Sequence, residues 1–236
     1  MSIKNIAGPR GRSKAALIAA ALVAGAMTSV TPAAAADEPA PLTPQTYIAW
    51  LRLQNSAESN EVARQFRLLP ATDQQKFLGY LVDEKVAKAG EDIRADTDPD
   101  PEARSLVNGD VTFEVETGAT GPTDRGSAGD WRCYYDFKQK IFGITVTKLK
   151  LEQWYRSSST KVTKVYNAAA SKRNYNPGVS ISNEPEEQWI SAAGNALAYV
   201  TWHGDITASG LTVQVDKRQH IRCDETGGRY QYMKNI

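Results

Sequence analysis

The sequence predicts an α+β fold, in which about three short helices precede an antiparallel, β-sandwich-like domain with one disulfide. Three observations predict it. Apolar residues recur at helical spacing before residue 90, short stretches of alternating polarity follow residue 110, and the two cysteines lie early and late in that second part. We expect a signal peptide over residues 1–36, a helical segment over 37–95, an acidic linker over 96–110 and a β domain over 111–236.

The first 36 residues have the pattern of a secretory signal peptide. Four basic residues precede an apolar stretch over 15–27, and residues 33–36 offer an A-x-A cleavage site before Asp37. The apolar stretch is too short for a relaxed membrane span, although an uncleaved anchor is the other interpretation. We therefore expect a secreted, extracellular protein with no membrane span after cleavage.

Helix starts are indicated by capping residues: Thr43 before Pro44, Ser56 or Ser59, and Thr72 with Gln75. Pro70 should end the second helix and Gly90 the third, because proline lacks an amide donor and glycine tolerates a left-handed conformation. The residues that follow are acidic and contain Pro99 and Pro101, which favours a solvated linker.

The clearest β pattern lies in residues 131–156 and predicts a hairpin with its turn over 138–143. In the first arm one parity is apolar: Trp131, Cys133, Tyr135 and Phe137. In the second arm the apolar set changes parity, which predicts a β-bulge near Thr147. After that change Trp154 shares its side of the strand with lysines, so it is either packed at a sheet edge or a partly exposed aromatic platform.

Further short β stretches bring the total to roughly eight strands, with a loop rich in Gly, Ser and Thr over residues 117–130. Cys133 and Cys223 both fall on apolar strand faces. In an exported chain we expect them to form one disulfide, with free thiols or an intermolecular bridge as the alternative. A redox role is disfavoured because the sequence has no C-x-x-C.

Without the signal peptide the chain has 24 basic and 27 acidic residues, a net charge of −3, and the excess of basic residues after residue 110 is small. This excess of basic residues is too small to predict a nucleic-acid partner, which requires a concentrated basic face. The only histidines are His203 and His220, and Asp205 is close enough in sequence to orient His203. The sequence has no nucleophile-elbow or zinc-protease motif, so we assign no catalytic residue, no metal and no cofactor.

Two motifs resemble a known group of proteins. The helical segment contains R-x-L-P-x-x-x-Q-x-K-F-L-x-Y-L over residues 67–81, and the β domain contains F-G-I-T-V-T-K-L-K over 142–150. With the signal peptide, this order resembles uncharacterised secreted proteins of high-GC Gram-positive bacteria. The resemblance implies the same location and architecture, and it carries over no functional residue.

The leading functional hypothesis is a secreted, non-catalytic binding or interaction protein. Its most concrete form is binding to cell-envelope or environmental polysaccharide, with Trp154, Tyr134 and Tyr166 as stacking residues. An inhibitor or partner of another secreted protein is the second hypothesis, and an envelope hydrolase that uses carboxylates or His203 is the third. A fourth is that the helical segment is a propeptide removed by cleavage between 96 and 110.

Overall fold

In the computed structural model of the protein, the described residues are 42–90, 93–94, 105–122, 127–208 and 211–236. The predicted signal peptide lies outside them, as do residues 96–104 of the predicted linker. The described helices are α1 (Pro44–Leu53), α2 (Ala57–Leu68), α3 (Ala71–Leu81) and α4 (Glu84–Lys88). None of these helices is long and apolar enough to cross a membrane.

Two of the predicted helix starts are confirmed. The side chains of Thr43 and Ser56 each accept a hydrogen bond from a backbone N–H in the first turn, and the backbone N–H of each cap residue donates in return to a side-chain oxygen of the helix. The predicted cap at Thr72 is wrong, because α3 begins at Ala71 without a side-chain cap. The third helix, predicted to run up to Gly90, is instead two helices, α3 and α4. The Asp83 carboxylate accepts hydrogen bonds from backbone N–H groups in the first turn of α4 and so starts a new helix.

Eleven strands are described and form two antiparallel sheets. Sheet B has the order β2 (Ser105–Leu106), β3 (Val111–Thr120), β4 (Gly129–Ile141), β5 (Ile144–Ser157), β6 (Val162–Asn174). Sheet A has the order β1 (Ile93–Arg94), β11 (Gly227–Asn235), β10 (Leu211–Asp224), β9 (Ala196–Ala208), β7 (Val179–Asn183), and β8 (Glu187–Ile190) also pairs with β9. The α+β, sandwich-like architecture predicted from the sequence is thus observed.

Two boundaries differ from the sequence prediction. Thr117–Thr120, expected in a loop, pair in register with β4 because the strand continues past the glycine at 118. Residues 105–106 of the predicted linker pair with β3, and residues 107–109 form a 3₁₀ turn before it. The end of the predicted linker is therefore joined to the edge of sheet B.

The β4–β5 hairpin has a tighter turn than expected. Only Phe142 and Gly143 lie outside the strands, and both have positive φ, at 48° and 78°. Such a two-residue turn matches the right-handed twist of the flanking strands. The predicted bulge is confirmed: Gln139 pairs with Thr147 and the next residue of β4 pairs with Thr145, so Val146 is the extra residue.

The core is tied across the two sheets by one disulfide and by buried amides. The predicted Cys133–Cys223 bridge joins β4 to β10, and both residues are fully buried. On β10 the Gln219 side chain donates to the Tyr135 carbonyl of sheet B and accepts from the Trp202 indole, both at 2.9 Å. These hydrogen bonds satisfy polar groups that would otherwise be costly to bury.

The helices pack on one end of the sandwich. The Tyr47 hydroxyl donates to the carbonyl of Tyr175 at 2.8 Å, the Asn176 amide to the carbonyl of Leu81 at 2.6 Å, and the Gln139 amide to the carbonyl of Val86 at 3.1 Å. Buried residues of the helices and of both sheets belong to one hydrophobic cluster. The helical segment is thus part of the same folded unit as the sheets.

Candidate functional site

The three aromatic residues proposed from the sequence lie on one surface, the outer face of sheet B. Tyr134 is on β4, Trp154 on β5 and Tyr166 on β6, and we call these three residues the aromatic strip. Tyr134 and Trp154 are partly buried, and Tyr166 is 41 % exposed. The strip therefore spans three adjacent strands.

Bulges decide which way two of these rings point. The extra residue at Val146 shifts the alternation of β5, so that Leu149 and Leu151 face the core and Trp154 faces outward. A second irregularity lies in β6, where Trp154 pairs with Asn167 and Tyr155 pairs with Val165. Tyr166 is the unpaired residue between them.

A cationic side chain lies over each ring of the aromatic strip. The Arg132 guanidinium lies 5.9 Å from the centre of the Trp154 ring, Lys150 Nζ lies 5.1 Å from Tyr134, and Lys164 Nζ lies 5.1 Å from Tyr166. At partly exposed positions such contacts contribute about 0.5–1 kcal/mol each. They orient the rings without fixing them as firmly as core packing would.

Asp130 organises one end of the strip. Its carboxylate accepts two hydrogen bonds from Arg156, at 2.8 and 2.9 Å, and one from the Tyr166 hydroxyl at 2.7 Å. These bonds, that from Arg156 first, hold the pKa of Asp130 below its usual value, and the bond to Asp130 raises the pKa of Tyr166. The result is a polar rim of fixed donors and acceptors next to the rings.

His203 has a different partner from the one suggested by the sequence. Its Nδ1 lies 2.8 Å from Asp216 Oδ1 on β10, rather than bonding Asp205, and its Nε2 lies 3.6 Å from Glu184 Oε1. The hydrogen bond to Asp216 raises the pKa of His203, with a further contribution from Glu184. Ser182 is the cross-strand neighbour of His203.

The row Ser182, His203 and Asp216 contains the residue types of a hydrolytic triad, but among the described residues no hydrogen bond joins Ser182 to His203. The nitrogen that would accept the proton of a serine, His203 Nε2, lies 3.6 Å from Glu184 Oε1 instead. Among the described residues no three His, Cys, Asp or Glu side chains are arranged to hold a metal ion.

Sequence reasoning missed a second aromatic surface on the outer face of sheet A, made of Trp189, Tyr199, His220, Tyr230 and Tyr232. His220 stacks on Tyr232 with ring centres 4.9 Å apart, and Trp189 meets Tyr199 edge to face at 5.8 Å. Tyr199 and His220 are cross-strand partners, which joins the two pairs. The alternation of residue types within β9 and β11 was visible in the sequence, but the pairing of each strand with β10 was not.

Comparisons of the chain with protein families, with curated proteins and with solved structures found no match.

Proposed function

We propose that the protein is secreted and binds polysaccharide without catalysing a reaction on it, through the aromatic strip. The predicted signal peptide and the disulfide support export, because such bridges persist in oxidising compartments. The observation that carries the proposal is the alignment of Tyr134, Trp154 and Tyr166 on one face across three adjacent strands.

An aromatic strip on a sheet suits a sugar polymer for a physical reason. The CH groups of a sugar ring bury apolar surface on an aromatic face, and its hydroxyls reach polar groups at the ring's edge. Here the rim is supplied by Asp130, Arg156 and Arg132. Successive strands are about 4.8 Å apart, so rings on three strands can engage more than one sugar unit.

The strip is also held on a rigid base. Directly beneath it, Cys133 links β4 to the other sheet, and the Tyr155 hydroxyl donates to the carbonyl of Asp224 on β10 at 2.7 Å. A preformed surface loses little conformational entropy on binding. The lysines next to Tyr134 and Tyr166 have flexible side chains, so a sugar ring can displace them at a modest cost.

A depletion assay tests the proposal. The purified protein is mixed with insoluble peptidoglycan, chitin or cellulose, and the supernatant is assayed for lost protein and for released sugar. Trp154→Ala should abolish the depletion seen with wild type, while Trp189→Ala, which removes a partly exposed indole from the other sheet, should leave it unchanged. Thermal melts of both variants show that each remains folded.

The other outcomes of this assay would each favour a different hypothesis. Equal depletion by Trp154→Ala and wild type would show that the strip is not the binding surface. Released sugar would instead favour the hydrolase hypothesis, which His203→Ala then tests. If no polysaccharide depletes the protein, the partner hypothesis becomes the stronger one, and its best surface is β8, where Trp189 and Ile190 are 39 % and 38 % exposed.

A further inference from the structure

A wide groove lies between helix α2 and the outer face of sheet B, beside the aromatic strip. Its volume is about 790 Å³. Six basic residues line it, and we call it the basic groove: Lys138, Lys140, Lys148, Lys150, Lys172 and Arg173. Among the residues that the structure describes, the acidic ones in the lining are Glu58 and Glu61 of α2, and Glu61 is already bonded to Arg64 and Gln65.

Three of these cations form a row across three adjacent strands. Lys138 of β4 is the cross-strand partner of Lys148 of β5, and Lys148 is the partner of Arg173 of β6. Like charges directly opposite each other destabilise a sheet. The cross-strand pairing of these cations therefore does not stabilise the sheet, which favours a role in binding an anion.

Carboxylates of the protein neutralise only part of this charge. Lys148 lies 2.8 Å from Asp136 and Lys150 lies 3.0 Å from Glu152, while Lys138 and Lys140 pair with carboxylates that are at least half exposed, those of Glu116 and Glu114. Exposed pairs of this kind contribute only about 0–1 kcal/mol, so an anionic ligand can replace them.

Two of the cations have no such partner. Within the described residues, no carboxylate forms an ion pair with Lys172 or Arg173, and Arg173 donates only to the carbonyl of Lys172. They lie on the same edge strand as Tyr166. Arg173 faces outward with its partner Lys148, whereas Lys172 is the partner of the core-facing Leu149. Arg173 is therefore the position at which a ligand carboxylate would meet the least competition.

The basic groove is continuous with the aromatic strip. Lys150 lines the groove and also lies 5.1 Å from the ring of Tyr134. Along β5 the outward side chains are those of Lys148, Lys150, Glu152 and Trp154, over roughly 20 Å at about 3.3 Å per residue. Glu152 is paired with both Arg132 and Lys150, so the basic groove and the aromatic strip meet at an acidic side chain that two cations already neutralise.

We infer that the ligand is an acidic polysaccharide, whose sugar rings stack on the aromatic strip while its anionic groups lie in the basic groove. This inference rests on the polysaccharide binding proposed above and adds the charge of the polymer. Sugar rings alone would not need the cationic row, and a polyanion without sugar rings would not need Trp154.

The test compares polymers that differ only in charge. Binding to polygalacturonate and to its fully methyl-esterified form is measured by calorimetry at low and high salt, with alginate and hyaluronan as further acidic polymers and inorganic polyphosphate as a polyanion without sugar. We expect tight binding to at least one acidic polymer, weakened by salt, and roughly tenfold weaker binding to the ester than to polygalacturonate if that polymer binds.

The key variant is Arg173→Gln, because within the described residues no carboxylate forms an ion pair with Arg173. It should weaken binding of the acidic polymer roughly threefold, as one exposed ion pair would. The matched control is Lys161→Gln, which removes one exposed cation outside the groove and should leave affinity unchanged.

The outcomes separate this inference from the function on which it rests. Equal affinity for the charged and esterified polymers, with loss of binding only in Trp154→Ala, overturns the acidic ligand and keeps polysaccharide binding. Polyphosphate binding as tightly as the acidic polysaccharides, with no effect of Trp154→Ala, overturns both. No binding to any of the three acidic polysaccharides also overturns the inference.

Discussion

Removal of the Cys133–Cys223 bridge should cost the protein much of its stability. The bridge closes a loop of 90 residues, and in the chain-entropy model such a cross-link disfavours the unfolded state by about 4.6 kcal/mol at 25 °C. Domains are typically stable by about 5–15 kcal/mol, so the loss is large. We expect Cys133→Ala/Cys223→Ala to unfold at a much lower urea concentration than wild type.

The assay is equilibrium unfolding in urea, followed by tryptophan fluorescence and circular dichroism. The double variant also loses two buried sulfur atoms, so the matched control is the wild-type chain refolded in excess reductant, which keeps both. The dependence of the unfolding free energy on urea should steepen, because an unfolded chain without the cross-link exposes more surface. A loss below about 2 kcal/mol in the reduced chain, with no steeper dependence, would refute the reasoning.

Two further predictions use single substitutions. Gly143→Ala should destabilise the protein by about 1 kcal/mol, because φ is +78° in the hairpin turn. Gly79→Ala in α3 should instead stabilise it by about 0.5–1 kcal/mol, because alanine favours a helix over glycine. Neither added methyl group meets an atom within 4 Å, so urea unfolding that gave both variants a change of the same sign would contradict the reasoning. Burial lowers the pKa of His220 from 6.5 to about 4. Between these two values the unfolded chain binds a proton at His220 that the folded chain does not, so the free energy of unfolding decreases as the pH falls from 6.5 towards 4. His220→Phe should therefore resist acid by about 2–3 kcal/mol more than wild type between pH 7 and 4, and parallel stability curves would exclude this role.

Local patterns in the sequence determined most of the elements. Alternating polarity placed Trp131, Cys133 and Tyr135 on a buried face, and the change of parity in β5 predicted a bulge near Thr147, one residue from the extra residue Val146 in the structure. The caps at Thr43 and Ser56 also follow from local chemistry, because a capping side chain bonds amides only two or three residues away. The same locality explains the error at Thr72, where the residues fit a capping box but Pro70 takes the cap position.

The composition of the candidate surfaces was decided by the tertiary structure. Lys148 and Arg173 are 25 positions apart in sequence, and His203 and Asp216 are 13 apart, yet strand register makes each pair direct neighbours. Register depends on how whole strands bury their apolar faces, so a shift of one residue would send each of these side chains to the opposite face. The sequence by itself therefore determined most of the helices and strands and the disulfide, whereas only the packed sheets decided which aromatic and charged residues share a surface.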